Sequence, residues 1–405
     1  MGTKQNTMPP TLNETPTGNR LHIGFFGKRN SGKSSLINAF VGQEISIVSD
    51  VAGTTTDPVY KPMEIAPLGP CTLIDTAGFD DIGELGEIRV EKTRLAAEKT
   101  DIAVLLFSTM EMEKELEWYR YFKTNKTKTI FVVSKSDTQQ QLEQLVDAVR
   151  KEVKEEPILI SSFNKTGINK LKDTIIRNTP EDYEMSSITG SLVGEKELVL
   201  LVMPQDIQAP KGRLILPQVQ TLRDLLDKKC LVMSVTTDQY ETALSMLKQP
   251  PTLIITDSQV FKHVYEKKPA ESKITSFSTL FAGYKGDLSY YVEGAKAIDG
   301  LTEESKVLIA ECCTHAPLTE DIGREKIPKM LRKRIGEGLQ VDIVSGTDFP
   351  EDLTKYDLII QCGGCMFNRK YILSRIDRAK RQQVAMSNYG VVIAYISGIL
   401  DHIAI

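Results

Sequence analysis

The feature that most constrains the fold is a glycine-containing loop between an apolar segment and a helical one. Residues 27–34 read Gly-Lys-Arg-Asn-Ser-Gly-Lys-Ser and fit the phosphate-loop pattern Gly-x-x-x-x-Gly-Lys-Ser. The loop follows the strand-like run 21–26, as this pattern requires. Its glycines let backbone N–H groups surround a phosphate, Lys33 offers a positive charge and the Ser34 hydroxyl can ligate Mg²⁺. The sequence therefore predicts a nucleotide site on a strand–loop–helix unit.

Further motifs follow in an order typical of one protein class. They are Gly53-Thr54-Thr55-Thr56-Asp57, Asp75-Thr76-Ala77-Gly78, Ser134-Lys135-Ser136-Asp137 and Ser161-Ser162-Phe163. With the phosphate loop they resemble a small GTPase, which argues against a turn that binds no ligand. Asn30 and the Gly-Thr-Thr segment resemble the TrmE-type and Era-like GTPases, in which a bound K⁺ supplies charge at the phosphates.

The resemblance implies GTP or GDP, Mg²⁺ and K⁺ as ligands. Catalytic roles would fall to Lys33, Thr55 and Gly78, with Ser34 and Thr55 on Mg²⁺ and Asn30 on K⁺. Two hydrogen bonds from guanine N1 and N2 suit the Asp137 carboxylate, so a GTP preference follows chemically. The implied nucleotide-binding residues are Gly27, Asn30, Ser31, Gly32, Lys33, Ser34, Ser35, Asp75, Lys135, Asp137 and Ser162.

Two positions depart from the GTPase pattern. Ser134 replaces the usual Asn, which predicts the loss of a tether between base loop and phosphate loop and hence modest affinity. Phe79 replaces the glutamine that orients the attacking water in many regulatory GTPases. We therefore expect K⁺-stimulated hydrolysis, because a monovalent cation neutralises developing charge as an arginine finger does. Four carboxylates are candidates to orient water, although each is more simply a solvated group: Asp80, Asp81, Glu84 and Glu87.

Two cysteine groups follow apolar strand-like runs in the last third of the chain. They are Cys312-Cys313-Thr314-His315 and Cys362-Gly363-Gly364-Cys365. Loops at the carboxyl ends of neighbouring parallel strands converge, and soft thiolates select iron–sulfur clusters or zinc. A thioredoxin-type redox pair, a structural zinc on Cys313, His315, Cys362 and Cys365, and buried inert thiols remain alternatives. Cys71 and Cys230 lie in apolar runs and are predicted to be core residues.

A Cys-x-His followed by a distant Cys-x-x-Cys, behind a potassium-type GTPase domain, resembles the HydF family of FeFe-hydrogenase maturation proteins. The segment 208–218 looks like that family's dimerisation domain. The resemblance implies a cytoplasmic homodimer that hydrolyses GTP and binds a 4Fe-4S cluster. Such a scaffold receives a di-iron precursor from radical-enzyme maturases and delivers it to the apo-FeFe-hydrogenase.

By this resemblance Cys313, Cys362 and Cys365 are the cluster ligands, and His315 matches the family's first histidine. Gln361 stands where many members carry a second histidine, and it is a poor iron ligand. We therefore expect an exchangeable fourth ligand, such as water, His315 or a nearby carboxylate. Cys312 is the alternative to Cys313.

The order of apolar and amphipathic segments predicts an α/β chain of three domains. After a flexible tail at 1–20, these are a P-loop GTPase domain with a mostly parallel doubly wound sheet at 21–180, a small α/β domain at 181–267 and an α/β domain at 268–405. The resemblance implies that the second is the dimerisation domain and the third the iron–sulfur domain. The predicted strands are 21–26, 71–75, 102–107, 129–134, 158–161, 198–203, 230–235, 253–256, 306–311, 340–343 and 357–361.

Composition and charge exclude several classes of protein. With 41% hydrophobic and 26% charged residues, the chain of 405 residues is globular. Its net charge of −4 gives no global reason to bind a polyanion, so we expect no nucleic-acid partner. No apolar run reaches membrane-spanning length and no export signal precedes the first strand, so we expect no membrane partner and a cytoplasmic location. An RNA-linked or zinc-containing GTPase is the alternative, with basic segments at 324–334 and 370–381 read as solvated helix faces.

Overall fold

The computed structural model divides the chain into two compact units, Met1–Glu184 and Met185–Ile405. It describes residues 15–42, 57–79, 84–180, 183, 187–204, 214–312, 322–364 and 366–405.

A six-stranded sheet forms the first unit, in the order β2-β3-β1-β4-β5-β6. All neighbours pair in parallel except β2 and β3. The strands are β1 Leu21–Phe26, β2 Val59–Ile65, β3 Gly69–Asp75, β4 Ile102–Phe107, β5 Lys128–Val133 and β6 Ile158–Leu159. The helices are α1 Lys33–Val41, α2 Glu84–Glu98, α3 Glu113–Thr124, α4 Leu142–Val153 and α5 Ile168–Arg177.

Strands β1 and β4 are buried along their whole length, because helices cover both faces of the sheet. One core contains α1 and α5, and the other contains α3 and α4. This is the doubly wound arrangement that the alternation of segments predicts, and the predicted α/β fold class is confirmed.

Strand β2 was not predicted from the sequence. Its residues alternate between half-buried and exposed, and it contains Pro62, which has no N–H to donate. An edge strand pairs on one side only and therefore tolerates both properties. Local pattern alone does not distinguish such a segment from a loop.

Two four-stranded sheets, both fully parallel, form the second unit in the orders β10-β9-β7-β8 and β12-β11-β13-β14. The strands are β7 Leu198–Val202, β8 Leu231–Val235, β9 Leu253–Thr256, β10 Lys273–Ser276, β11 Lys306–Ala310, β12 Gln340–Val344, β13 Leu358–Gln361 and β14 Ala385–Asn388. The helices are α6 Leu216–Asp227, α7 Tyr240–Met246, α8 Phe261–Lys267, α9 Phe277–Lys285, α10 Leu288–Ala295, α11 Ile327–Ile335, α12 Arg369–Arg381 and α13 Tyr389–Ile396.

The edge strands β10 and β14 were not predicted either. Each has only four residues and leads directly into an apolar helix, so that strand and helix form one continuous run in the sequence. Strand β10 lies after the predicted domain boundary at residue 267, yet it pairs with β9 of the preceding sheet.

Helices α9 and α13 bring the two sheets of the second unit together. A Cβ atom on Gly390 would lie 2.3 Å from the Ser278 hydroxyl oxygen, so this contact requires glycine.

In the part of the chain that the structure describes, no helix is both long enough and apolar enough to cross a membrane.

Candidate functional site: a phosphate loop and a pair of cysteine loops

The phosphate loop lies where the sequence predicts it, between the end of β1 and the first turn of α1. Two of its residues adopt the left-handed backbone conformation: Asn30 with φ of 57° and Gly32 with φ of 91°. Gly32 is the residue that precedes α1, and at this backbone angle a Cβ atom would strain the turn. The loop therefore presents its N–H groups together with the N-terminus of α1, as an anion site requires.

Lys33 supplies the positive charge of this loop. Its side chain is buried, and the Nζ atom donates to the carbonyl oxygens of Gly27 at 2.8 Å and Lys28 at 2.7 Å. The loop thus folds around the ammonium group through two hydrogen bonds. A phosphate bound inside the loop would be within reach of the same charge.

Ser34 and Asp75 meet beside the loop. The Ser34 hydroxyl donates to Asp75 Oδ2 at 2.7 Å. Burial raises the pKa of Asp75, while the Ser34 hydrogen bond and the charge of Lys33 oppose that shift. Asp75 Oδ1 is also buried and has no hydrogen-bond partner among the described residues. An unsatisfied carboxylate oxygen next to a hydroxyl matches the hard oxygen ligands of Mg²⁺ and its water shell.

Phe79 belongs to the hydrophobic core and has no catalytic surface. It is 4% exposed and stacks on Trp118 with ring centroids 5.6 Å apart. Packed in this way, Phe79 cannot orient the attacking water, as the sequence predicts, and Trp118 is part of the same core. Gly78, immediately before it, is half-buried at the end of the segment that follows β3.

The structure corrects the prediction about Ser134. The shorter side chain was expected to remove a tether between the base loop and the phosphate loop. Instead, the Ser134 hydroxyl donates to the Ser31 carbonyl oxygen at 2.7 Å, and to the Phe107 carbonyl oxygen at 3.3 Å. Serine reaches the loop because Ser134 comes directly after the end of β5, within hydrogen-bond distance of the Ser31 carbonyl. The physical reason to expect a weakened affinity is therefore absent.

The remaining base-site residues occupy loops at the same edge of the sheet. Lys135 has a φ of 56°, and the next residue, Ser136, donates its N–H to the Ile160 carbonyl at 3.1 Å. This bond joins the loop after β5 to the segment that contains Ser162. Asp137 is exposed, as a group that reads a nucleobase must be before ligand binds. Thr55 lies outside the described residues.

The cysteine loops form a second site, in the second unit. Strands β11 and β13 are parallel neighbours, with Ala310 opposite Gln361. The chain therefore leaves both strands side by side, and the Cys312 N–H donates to Cys362 Sγ at 3.1 Å. The predicted convergence of the two loops is observed for these two cysteines.

Buried polar groups support the loop that begins at Cys362. Lys285 is 2% exposed and donates to the carbonyl oxygens of Gly364 at 3.1 Å and Phe367 at 2.8 Å. Gln361 is 1% exposed; its Nε2 donates to the Tyr291 hydroxyl at 3.3 Å, while its Oε1 has no hydrogen-bond partner among the described residues. Burial raises the pKa of Tyr291, and the neighbouring thiols of Cys312 and Cys362 add to that shift.

Three of the predicted ligands, Cys313, His315 and Cys365, lie outside the described residues. Within those residues no three His, Cys, Asp or Glu side chains gather closely enough to hold a metal ion. The nearest carboxylate in sequence, Glu311, already accepts from Arg324 Nη2 at 2.9 Å and from the Ser345 hydroxyl at 3.1 Å. Glu311 is therefore engaged by protein groups.

Sequence reasoning missed the buried cations Lys285 and Arg375. Arg375 lies in the basic segment 370–381, which was interpreted as a solvated helix face, yet it is 2% exposed. That interpretation is wrong for this residue, because the face of α12 that carries it packs against the cysteine loops.

Cys71 and Cys230 are buried in apolar cores, as predicted, and burial raises the pKa of the Cys71 thiol to about 12.

Comparison with known proteins first defines the class. Residues 22–165 match the 50S ribosome-binding GTPase family. The chain is 32% identical over 188 residues to the tRNA modification GTPase MnmE of Ligilactobacillus salivarius, a match that covers 46% of this chain and 40% of that protein. It is 31% identical over 213 residues to GTPase Der of Streptococcus pneumoniae, covering 51% of this chain and 48% of Der. The chain thus contains a P-loop GTPase domain and spans less than half the length of these curated relatives.

A similar solved structure is that of Era from Aquifex aeolicus bound to GDP and aluminium fluoride. The match has 20% sequence identity and a TM-score of 0.36, and it covers 53% of this chain and 92% of Era.

The second unit identifies the family. Residues 188–286 match the hydrogen maturase F dimerization domain, and residues 289–404 match the hydrogen maturase F tetramerization domain. With these two domains behind its GTPase domain, the chain belongs to the hydrogen maturase F family. Both matched domains take their names from self-association: dimerization and tetramerization.

Proposed function

We propose that the chain is a GTP-hydrolysing scaffold of FeFe-hydrogenase maturation that carries a 4Fe-4S cluster. The proposal combines a GTPase domain with two hydrogen maturase F domains in one chain. In this function a homodimer receives a di-iron precursor from radical-enzyme maturases and passes it to the apo-hydrogenase. GTP hydrolysis regulates those encounters.

The observation that carries the cluster proposal is the hydrogen bond from the Cys312 N–H to Cys362 Sγ. The ends of the parallel neighbours β11 and β13 adjoin at this bond, and Cys362 would act together with Cys313 and Cys365, which stand close to the same strand ends in the sequence, as a soft donor set that suits iron–sulfur chemistry. At the same strand end, the buried Gln361 Oε1 has no hydrogen-bond partner among the described residues, so it can still accept a hydrogen bond. When bound, the cluster supplies an iron site and one-electron chemistry. The protein's part is to hold the thiolates, with His315 as an exchangeable ligand.

In the GTPase domain, the proposed roles follow from the resemblance to GTPases, and the geometry of the described residues of the phosphate loop supports them. Lys33 and the backbone N–H groups of the loop neutralise phosphate charge, and the Gly78 amide senses the γ-phosphate. Ser34, Thr55 and Asp75 serve Mg²⁺ and its water shell. Base recognition falls to Asp137, supported by Lys135 and Ser162.

Anaerobic reconstitution of the full-length protein with ferrous iron and sulfide tests the proposed function. We expect a brown protein with about four iron and four sulfide ions per chain and an EPR signal after reduction. A colourless protein that binds one zinc ion per chain would instead support the structural-zinc alternative.

Potassium dependence tests the proposed charge supply at the phosphates. GTP hydrolysis is expected to be about tenfold faster or more in KCl than in NaCl of equal ionic strength, since a correctly sized cation neutralises charge that develops on the phosphates. Asn30→Gly is the informative variant, because glycine keeps the left-handed backbone at this position and removes only the amide. It should abolish the difference between the salts. Equal rates in both salts for the wild type would refute K⁺ stimulation.

A further inference from the structure

The guanidinium group of Arg375 is buried directly behind the cysteine loops. Arg375 lies on α12 and is 2% exposed. Its Nη2 donates to the Gly346 carbonyl oxygen at 2.5 Å and to the Tyr371 hydroxyl at 3.5 Å, and its Nη1 lies 4.0 Å from Cys312 Sγ. Nε is buried and has no hydrogen-bond partner among the described residues. All of its polar contacts with residues that the structure describes are therefore with neutral groups or with a thiol.

No carboxylate among the described residues forms an ion pair with Arg375. Other arginines of the same unit do have one: Arg324 pairs with Glu311 and Arg334 with Asp299. A guanidinium that is removed from water without an anion carries a large desolvation penalty. Its retention at this position therefore points to a negative charge that the described side chains do not supply.

Three aromatic rings surround the guanidinium. The centroids of Phe349, Phe367 and Tyr371 lie 4.8, 5.0 and 4.8 Å from the Arg375 Cζ atom. Ring faces attract a cation and fix its orientation, but they carry no net charge. The rings hold the group in place and leave its charge uncompensated.

The cysteine loops are where a negative charge that compensates Arg375 would lie. Cys312 connects the two, since its sulfur faces Arg375 and its N–H is bonded to Cys362 Sγ. A cluster held by thiolates is anionic, and it gains one further negative charge on reduction. A fixed cation in a low-dielectric surrounding therefore stabilises the reduced form more than the oxidised form.

We propose that Arg375 is the built-in counter-charge of the iron–sulfur cluster and that it raises the cluster's reduction potential. This inference rests on the proposed cluster, and it adds a residue that is not a ligand. Arg375 acts through space on the bound group.

The test compares three variants of the reconstituted full-length protein in a redox titration followed by EPR. Arg375→Met removes the charge and retains much of the volume, whereas Arg375→Lys retains the charge. Arg378→Met is the matched control, because Arg378 lies one turn further along α12, contacts the Phe349 ring at 5.7 Å and donates to the Pro350 carbonyl at 3.1 Å.

For Arg375→Met, we expect the ratio of reduced to oxidised cluster at a fixed potential to fall about tenfold, which equals about 59 mV for a one-electron couple. Arg375→Lys and the Arg378→Met control should remain close to the wild type.

An unchanged potential in Arg375→Met, or an equal shift in Arg378→Met, would overturn the inference and leave the proposed function intact. If Arg375→Met does not fold, Arg375→Lys and Arg375→Gln provide the same comparison, and equal potentials in those two would also overturn it. A wild-type protein that binds no cluster would remove the proposed function first and this inference with it.

Discussion

Replacing Lys33 with methionine is expected to slow GTP hydrolysis by about 100-fold or more. The ammonium group is buried inside the phosphate loop, and methionine fills a similar volume without the charge. Hydrolysis builds negative charge on the phosphate oxygens, and a preorganised cation at that place stabilises the transition state. Single-turnover release of phosphate at saturating GTP and Mg²⁺ measures the effect on the chemical step.

Lys151→Met is the control for the Lys33 variant, since Lys151 is an exposed residue on α4 and undergoes the same chemical change. It should hydrolyse GTP at the wild-type rate. The two hydrogen bonds from Lys33 to the loop carbonyls also hold the loop, so the thermal unfolding of the nucleotide-free variant needs to be compared with the wild type. A folded Lys33→Met protein that turns over GTP normally would contradict the role assigned to this loop.

The buried parallel strands of the first unit could be predicted because they are continuous apolar runs. The predicted strands 21–26 and 102–107 coincide with β1 and β4, each buried at every position. Burial on both faces favours apolar residues along nearly the whole of such a strand, with buried His22 in β1 as an exception, and the pattern is therefore readable from the sequence alone. The phosphate loop was equally predictable, since its residues and its strand–helix context are both local.

Contacts between distant residues could not be predicted in this way. The hydrogen bond from Ser134 to the Ser31 carbonyl joins residues 103 positions apart. Comparison with the usual asparagine indicated a lost tether, because a residue type says nothing about how closely the two loops approach. Edge strands β2, β10 and β14 could not be predicted for a related reason. Pairing with one neighbouring strand defines them more than their own sequence does.

Burial of charge was the other property that the sequence did not reveal. Segment 370–381 has the composition of a solvated helix, and yet Arg375 lies in the interior. Lys285 is the last residue of the apolar helix α9, and nothing in its sequence context indicates that it is buried. Both cations are buried because the loops at the ends of β11 and β13 pack against them. The charge around a candidate cofactor site therefore depends on tertiary packing that motif spacing does not encode.

Replacing Cys362 with alanine is expected to lower the iron and sulfide content of the reconstituted protein by about tenfold or more. Loss of groups that merely orient metal ligands already costs about 10–100-fold in affinity, and Cys362 is proposed as a ligand itself. Its sulfur also accepts the N–H bond that joins the two cysteine loops, so alanine removes both the donor and the link. Iron and sulfide analysis, with the visible absorption band, measures the outcome.

Cys230→Ala is the matched control, because Cys230 is a buried thiol of the same unit within the apolar core of the other sheet. It removes one sulfur and leaves the cysteine loops untouched, so its iron content should equal that of the wild type. Comparable unfolding temperatures of the two cluster-free variants would show that any difference arises from iron binding and not from the fold. Iron retained in full by Cys362→Ala would mean that the cluster, if bound, uses other ligands, and the convergence of β11 and β13 would then require a different explanation.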